Sequence, residues 1–358
     1  MAVPGAAAVV VVGLVFVTSG LIVNIMQAIF FVLIRPLSMR TYRRISGALG
    51  ELLWLELVFL MDWWARVKMQ LYIDRETFQS MGKESALILC NHKSDIDWLV
   101  TMGLAQRAGI LGKTIALMKS ESKRFPSGLQ QLEEYPRPFW LALFAEGTRF
   151  TPEKLLAAQE YAASVGLPIP RNVLIPRTKG FVETIRRIRS FVPAIYDITV
   201  AVPKGVPKPT MLGIFKGKTS VVDVRVKRYL TKDLPETDEG VAQWCRDLFT
   251  DKDAVLDKHI ADNTFSDDEL LDIGLSKKSF VVVAFWVCLL SFGTLKFLQW
   301  SALLQSWKGI GFSAFAVCSM TFVMHMLLQS TRSDLSTPAK LSSAKPKNGG
   351  EHPADKQN

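Results

Sequence analysis

The sequence predicts an α/β fold, a mostly parallel sheet with flanking helices, plus N- and C-terminal transmembrane helices. Three observations carry that expectation. Residues 1–34 contain no charged side chain, and 280–298 and 309–328 are two further apolar runs. Between them, short apolar stretches of strand length alternate with helical patterns, the arrangement that builds parallel sheets. At 49% hydrophobic and 21% charged, the 358 residues exclude a disordered scaffold, a collagen-like fibre and a coiled coil.

From the N-terminus, residues 6–34 are interrupted only by Thr18, Ser19, Asn24 and Gln27. As a helix this stretch is about 43 Å long, more than the roughly 30 Å of bilayer hydrocarbon, so it tilts or bends. A signal peptide needs basic residues before its apolar core. The first here is Arg35, followed by Arg40, Arg43 and Arg44, so 1–34 reads as a retained anchor whose downstream flank is cytosolic. Residues 35–72 read as a basic linker and a Trp-rich interfacial or membrane-associated helix over 52–71, broken by Glu56, Asp62, Arg66 and Lys68. A cytosolic domain follows over 73–279, then a transmembrane hairpin over 280–328 with Lys277 and Lys278 before it and Arg332 after it. Residues 329–358, rich in Ser, Pro, Lys and Gly, read as a disordered tail.

Inside 73–279 the strand candidates are 86–90, 139–144, 172–175, 198–202 and 221–226, with a helix over 152–165 that starts on a proline and stops at Gly166. Ligands of such sheets gather at the carboxyl ends of strands. The net charge is +10, and +6 of it lies on 35–279, which favours phosphorylated ligands or anionic lipid.

The first candidate strand ends at Asn91-His92, and Asp97 stands five positions after His92; none of His259, His325 and His352 has an Asp at that spacing. A general base needs one ring nitrogen free and the other held by an acceptor, for which a carboxylate is the strongest choice. A helix capped by Ser94 or Asp95 puts Asp97 in its first turn, folded back towards the ring. After the second strand come Glu146, Gly147, Thr148 and Arg149: a glycine for close backbone approach, a hydroxyl and a guanidinium that suits phosphate. After the third come Pro176, Arg177 and Lys179, with Gly180. Taken singly each reads equally as a capping histidine or a solvated charge cluster. Together they describe a site that binds a phosphorylated alcohol and takes a proton from its hydroxyl.

Other chemistries find no support. There is no GxSxG elbow and no HExxH, the four histidines are scattered, and Gly112-Lys113-Thr114 and Gly217-Lys218-Thr219 lack the first glycine of a phosphate loop. Four cysteines form no zinc pairs and no disulfide framework, so neither a metal nor an oxidising compartment is expected. The basic 186–190 stretch sits in an apparent helix of an anchored chain, so anionic lipid and not nucleic acid is the expected partner.

The segments NHKSDIDWLV, PRPFWLALFAEGTRFT, LIPRTKGF and VPAIYDITVAVPK resemble the 1-acyl-sn-glycerol-3-phosphate (lysophosphatidate) acyltransferases, most closely the endoplasmic-reticulum type of plants, from about residue 34 to about 265. The resemblance implies a glycerolipid-acyltransferase-like fold in the endoplasmic reticulum membrane, multi-pass, with its catalytic domain cytosolic. It implies His92 as catalytic base with Asp97 as its partner. Substrate binding falls to Glu146, Gly147, Thr148, Arg149, Pro176, Arg177 and Lys179. Acyl-CoA is the co-substrate, with no cofactor, and lysophosphatidate the acceptor; membrane lipids are the other partners. In one respect the chain departs from the pattern. Between these motifs the family carries a Gly/Phe/Arg segment for acceptor binding, whereas here Ala116 to Lys119 pass through 120–124 almost directly to Ser127-Gly128-Leu129. The alternative expectation is therefore an inactive isoform or paralogue serving as a structural or regulatory partner in lipid synthesis.

Overall fold

The computed structural model describes residues 3–117, 125–301 and 305–330. The expected tail, 329–358, except its first two residues, which end the last helix, and the greater part of the shortened stretch, 118–124, lie outside the described residues. Among those described, strands β1 (Val67–Tyr72), β2 (Ala86–Cys90), β3 (Thr114–Leu117), β4 (Trp140–Leu143), β5 (Ala194–Ala201), β6 (Ser220–Leu230) and β7 (Leu270–Leu271) form one sheet, ordered β3-β4-β2-β5-β6-β1-β7. Four ladders are parallel; β5 with β6 and β1 with β7 are antiparallel. Every residue of β2, β4 and β5 is buried, as central strands covered on both faces require.

The helices are α1 (Val3–Leu33), α2 (Met39–Phe59), α3 (Arg75–Ser80), α4 (Asp97–Arg107), α5 (Phe125–Gln130), α6 (Pro152–Val165), α7 (Thr178–Ile188), α8 (Met211–Phe215), α9 (Asp238–Asp262), α10 (Lys277–Ser301) and α11 (Trp307–Ser330). Two apolar clusters cover the sheet, one built on α2, α4 and α8, the other on α7 and α9. Helix α6 starts on Pro152, with the Thr151 hydroxyl accepting from Lys154 N–H, and ends at Gly166 in the left-handed region (φ 70°), matching its sequence signals.

Two expectations give way. The apolar stretch 172–175 is not a strand. Its amides bond to carboxylates: Asp253 of α9 accepts from the backbone N–H of Arg171, Asn172 and Val173 at 2.6–3.1 Å, and Glu146 accepts from that of Leu174 at 3.3 Å. With their donors taken, these residues have none left for a ladder. The second concerns 52–71, which is no single interfacial helix. Helix α2 ends at Phe59, a wide turn occupies Leu60–Trp64, Arg66 takes a positive φ of 52°, and the chain enters the sheet as β1. The sheet therefore begins at Val67 and not after residue 72. The acidic groups that resembled a polar face are buried. Asp62 accepts from Arg107 Nη2 at 2.6 Å and from Ser276 N–H at 3.0 Å, and Glu56 is 4% exposed.

Val11–Leu33 and Lys277–Ser301 are long and apolar enough to cross a bilayer, and both are mostly exposed, consistent with a membrane protein. Helix α1 packs along α2: Gly20 lies against Leu53, Phe31 meets Tyr42 edge-on at 5.7 Å, and Gln27 Nε2 donates to the Ser46 carbonyl at 3.0 Å. Helix α11 follows α10 and displays Trp307, Phe312, Phe315 and Phe322 to its surroundings.

Asp253→Ala leaves the buried amides of Asn172 and Val173 without an acceptor. Unfolding of the full chain in detergent is expected to show a loss of about 2–5 kcal/mol, whereas Asp257→Ala, at the exposed end of the same contact, costs far less.

Candidate active site

Strands β2 and β4 run parallel in register, Ala86 opposite Trp140 and Leu89 opposite Leu143, so the segments after them emerge at one sheet edge. Asn91 pins the first of these. Its side chain accepts from Val200 N–H at 2.8 Å and donates to the Val200 carbonyl at 3.0 Å, locking the end of β2 to β5. His92 is held from three sides. Its N–H donates to Glu146 Oε1 at 3.0 Å, its carbonyl accepts from Phe150 N–H at 2.7 Å, and its ring lies over Phe144 with centroids 4.6 Å apart.

His92 Nδ1 lies 3.2 Å from Asp97 Oδ2. Asp97 opens α4, and the same oxygen accepts from Ser94 N–H at 2.7 Å, so the carboxylate ties down the turn before its helix while reaching the ring. The expected caps Ser94 and Asp95 do other work. Ser94 Oγ donates to the Pro209 carbonyl at 3.2 Å, and Asp95 Oδ2 accepts from Met211 N–H at 3.2 Å, fastening the loop before α8 to the histidine turn. Asp97 is 1% exposed and the His92 side chain 21%. Burial holds the Asp97 carboxyl above its ordinary range, against the opposing bonds from His92 and Ser94. With Nδ1 occupied by the carboxylate, Nε2 is the ring nitrogen available to a substrate proton.

Glu146 points inward. At 2% exposure its oxygens take the backbone N–H of His92 and of Leu174, and burial pushes its pKa up to about 7. Gly147 sits at φ +68°, and a Cβ there would come within 2.7 Å of Arg177 Cδ, so the Arg177 side chain lies across the glycine. Arg177 N–H donates to the Ala145 carbonyl at 2.7 Å, joining the loop after β4 directly to the segment that leads into α7. Pro176 is buried beside it, and Lys179 is exposed on the first turn of α7.

The sequence reading missed Lys154. Its ammonium donates to Thr148 Oγ1 at 2.7 Å and to the Arg149 carbonyl at 3.0 Å, from the first turn of α6. Burial and the Arg149 charge hold it below the ordinary lysine range. Its spacing after Arg149, beyond a helix-starting proline, was the available signal. The packing of Phe144 under the His92 ring had none. Among the described residues no cluster of His, Cys, Asp and Glu could hold a metal ion.

An α/β domain with a His–Asp pair and a cationic rim at one strand edge, joined to apolar helices long enough to span a bilayer, defines a class of membrane-associated enzymes that act on anionic lipids. Comparison with known proteins narrows it. The family model described as the acyltransferase C-terminus matches residues 213–286. The 1-acyl-sn-glycerol-3-phosphate acyltransferase 2 of Brassica napus is 55% identical over 368 aligned positions, covering 96% of this chain and 94% of that protein. The Arabidopsis thaliana protein of the same name is 55% identical over 97% of this chain and 96% of its own length, and the human gamma form is 36% identical over 68% and 71%. A solved structure, the 1-acyl-sn-glycerophosphate acyltransferase PlsC from Thermotoga maritima, has 13% identity and a TM-score of 0.38 over 69% of this chain and 96% of its own, too slight a likeness to bear on the fold. This chain belongs to the 1-acyl-sn-glycerol-3-phosphate acyltransferase family. The Brassica napus alignment is longer than the chain's own 358 residues, so that relative carries residues this chain lacks.

Ionising Glu146 is harder in the folded protein than in the unfolded chain. Its contribution to stability is therefore full below the ordinary glutamate range and lost as pH rises through about 7. Glu146→Gln removes that titration and adds a pH-independent cost, since an amide offers one acceptor oxygen for two N–H groups. Between about pH 4.5 and about pH 7, unfolding in detergent is expected to show wild type losing up to about 3 kcal/mol relative to the variant, with no further change above.

Proposed function

We propose that this chain transfers an acyl group from acyl-CoA to the sn-2 hydroxyl of 1-acyl-sn-glycerol-3-phosphate, giving phosphatidate and CoA. The observation that carries the reading is the His92–Asp97 pair, set beside the cationic loops at 147–149 and 177–179 in a chain of this family. His92 Nε2 takes the hydroxyl proton as the oxygen attacks the thioester carbonyl. The tetrahedral adduct collapses, the C–S bond breaks, and the departing CoA sulfur takes the proton back from the imidazolium. No acyl-enzyme and no cofactor enter this scheme. Asp97 keeps the proton on Nδ1 and stabilises the imidazolium. Arg149, Arg177, Lys179 and the Thr148 hydroxyl bind the glycerol phosphate and so place its hydroxyl, with Lys154 beside them. Gly147 gives Arg177 room to reach, while Glu146 and Pro176 hold the loops. The buried Glu146 carboxylate argues for positioning and against direct contact with substrate.

The basic stretch after α1 supports a cytosolic catalytic domain, and the resemblance of the sequence motifs supports the endoplasmic reticulum membrane as its seat. A second reading has its own support: the residues missing relative to the Brassica napus protein fit a catalytically silent partner in lipid synthesis.

Release of CoA from oleoyl-CoA with lysophosphatidate, in microsomes carrying the full chain, decides between them. Release is expected, and His92→Ala is expected to lower it roughly 10²–10⁴-fold; an unchanged rate in that variant ends the base assignment, and no release from folded protein at high load favours the silent partner. Gly147→Ala forces the Arg177 side chain aside and strains a left-handed position. It is expected to raise KM for lysophosphatidate about tenfold or more while kcat falls less, read from initial rates.

A further inference from the structure

A second cavity lies away from His92. Thr114 pairs with Trp140, which pairs with Ala86, so this is the starting edge of the parallel strands, whereas His92 follows their carboxyl ends. Here the last turns of the α1 span, the first half of α2 and the turn Leu111–Lys113 border an open cavity of about 290 Å3, whose lining includes Gln27, Tyr42, Arg43, Ser46, Thr114 and Tyr135. One wall is fixed by a close helix-to-turn crossing, where a Cβ on Gly47 would overlap the Gly112 carbonyl oxygen.

The lining is hydroxyl- and amide-rich with one charge. The Arg43 guanidinium sits 5.7 Å from the Tyr135 ring centroid and donates to the Gln131 carbonyl at 3.2 Å; among the described residues no carboxylate pairs with it. The site stands where the candidate span Val11–Leu33 ends, and Arg35, Arg40, Arg43 and Arg44 follow with no acidic residue before Glu51. That is the depth at which a bilayer presents its phosphates. One guanidinium, two phenol hydroxyls and a serine hydroxyl form a donor set for a phosphate diester.

We infer that this cavity binds the phosphate of an anionic phospholipid headgroup, seating the chain on the bilayer at a point separate from the acyl-transfer site. The inference does not rest on the reaction proposed above, because binding is read directly.

The test uses the full chain in a neutral detergent, titrated with fluorescent phosphatidylserine. Saturable binding is expected, and Arg43→Gln weakens it about tenfold or more. Arg44→Gln removes the same charge from the adjoining residue, outside the lining, and leaves binding near wild type. Gly50 borders the cavity, and a Cβ there meets only Gln27 Nε2, at 3.8 Å. Gly50→Leu therefore fills the space with no change of charge, and saturable binding is lost. Equal weakening by the two arginine variants, or wild-type binding by Gly50→Leu, overturns the site in favour of diffuse surface attraction; if Gly50→Leu does not fold, the arginine pair still decides. Unlabelled phosphatidylserine displaces the probe; phosphatidylcholine, whose diester stands beside a cation that a lining without a carboxylate cannot pair, displaces it far less at the same concentration. Displacement by glycerol 3-phosphate as effective as by phosphatidylserine overturns the lipid assignment.

Discussion

The Glu146 carboxylate joins the turn carrying His92 to the strap carrying Arg177, and most of the site's geometry depends on that bridge. A carboxylate buried to this degree is tolerated because each oxygen meets a backbone N–H, and even so burial raises its pKa to about 7. The arrangement works through the main chain. His92 is fixed at its amide by Glu146 and at its carbonyl by Phe150, so its imidazole has only side-chain torsions left, and Phe144 and Asp97 settle those. Precision at the ring comes from a carboxylate on another strand's end, one that touches the histidine only through its backbone.

On the far side, α9 supplies the counterpart. Lys252 lies 2.5 Å from Asp197 of β5 and donates to the Ile198 carbonyl at 2.7 Å, with the lysine side chain wholly buried. Asp253, the next residue, holds the strap, and His259 Nε2 sits 2.8 Å from Asp223 of β6. One helix thus fixes two central strands and the non-strand segment between β4 and α7. Buried ion pairs of this kind add little net stability over apolar packing, because desolvation offsets the attraction. What they select is register: an aliphatic helix could slide along the sheet, whereas Lys252, Asp253 and His259 each have fixed partners to meet.

The sequence made some of this legible and left some hidden, for separable reasons. Strands β2 and β4, the α6 boundaries and the outer apolar helices were readable because periodicity, length, proline and glycine act locally. The five-residue spacing of His92 and Asp97 was readable because the helix start that joins them is also local. Segment 172–175 misled because its apolar residues suit a strand, while the feature that removes it from the ladder, Asp253, stands some 80 positions away. The stretch 52–71 misled for the opposite reason. Its charges resembled an interface-facing stripe, yet Asp62 is matched by Arg107, again distant in sequence. Lys154 escaped notice because its target is a backbone carbonyl and a hydroxyl, which leave no charge pattern to read.

Helix α2 and the segment leading into α10 are part of the site's frame. Helix α4 begins at Asp97, the group that orients His92, and is held at both ends by α2 and the segments next to α2 and α10. At its start the Trp98 ring meets Trp54 of α2 edge-on, with centroids 6.0 Å apart, while the Trp98 indole donates to the Asp95 carbonyl at 2.8 Å. At its end Arg107 donates to Asp62, just beyond α2, and to the Gly274 carbonyl ahead of α10, as Asp62 accepts from Ser276 N–H. Both partners of that ion pair are almost fully buried, so removing either leaves an uncompensated charge, a loss of about 3–5 kcal/mol. A tether would leave α4 free to shift against α2; packing of this kind does not, so the contacts that set the position of Asp97 also fix the turn carrying His92 relative to α2.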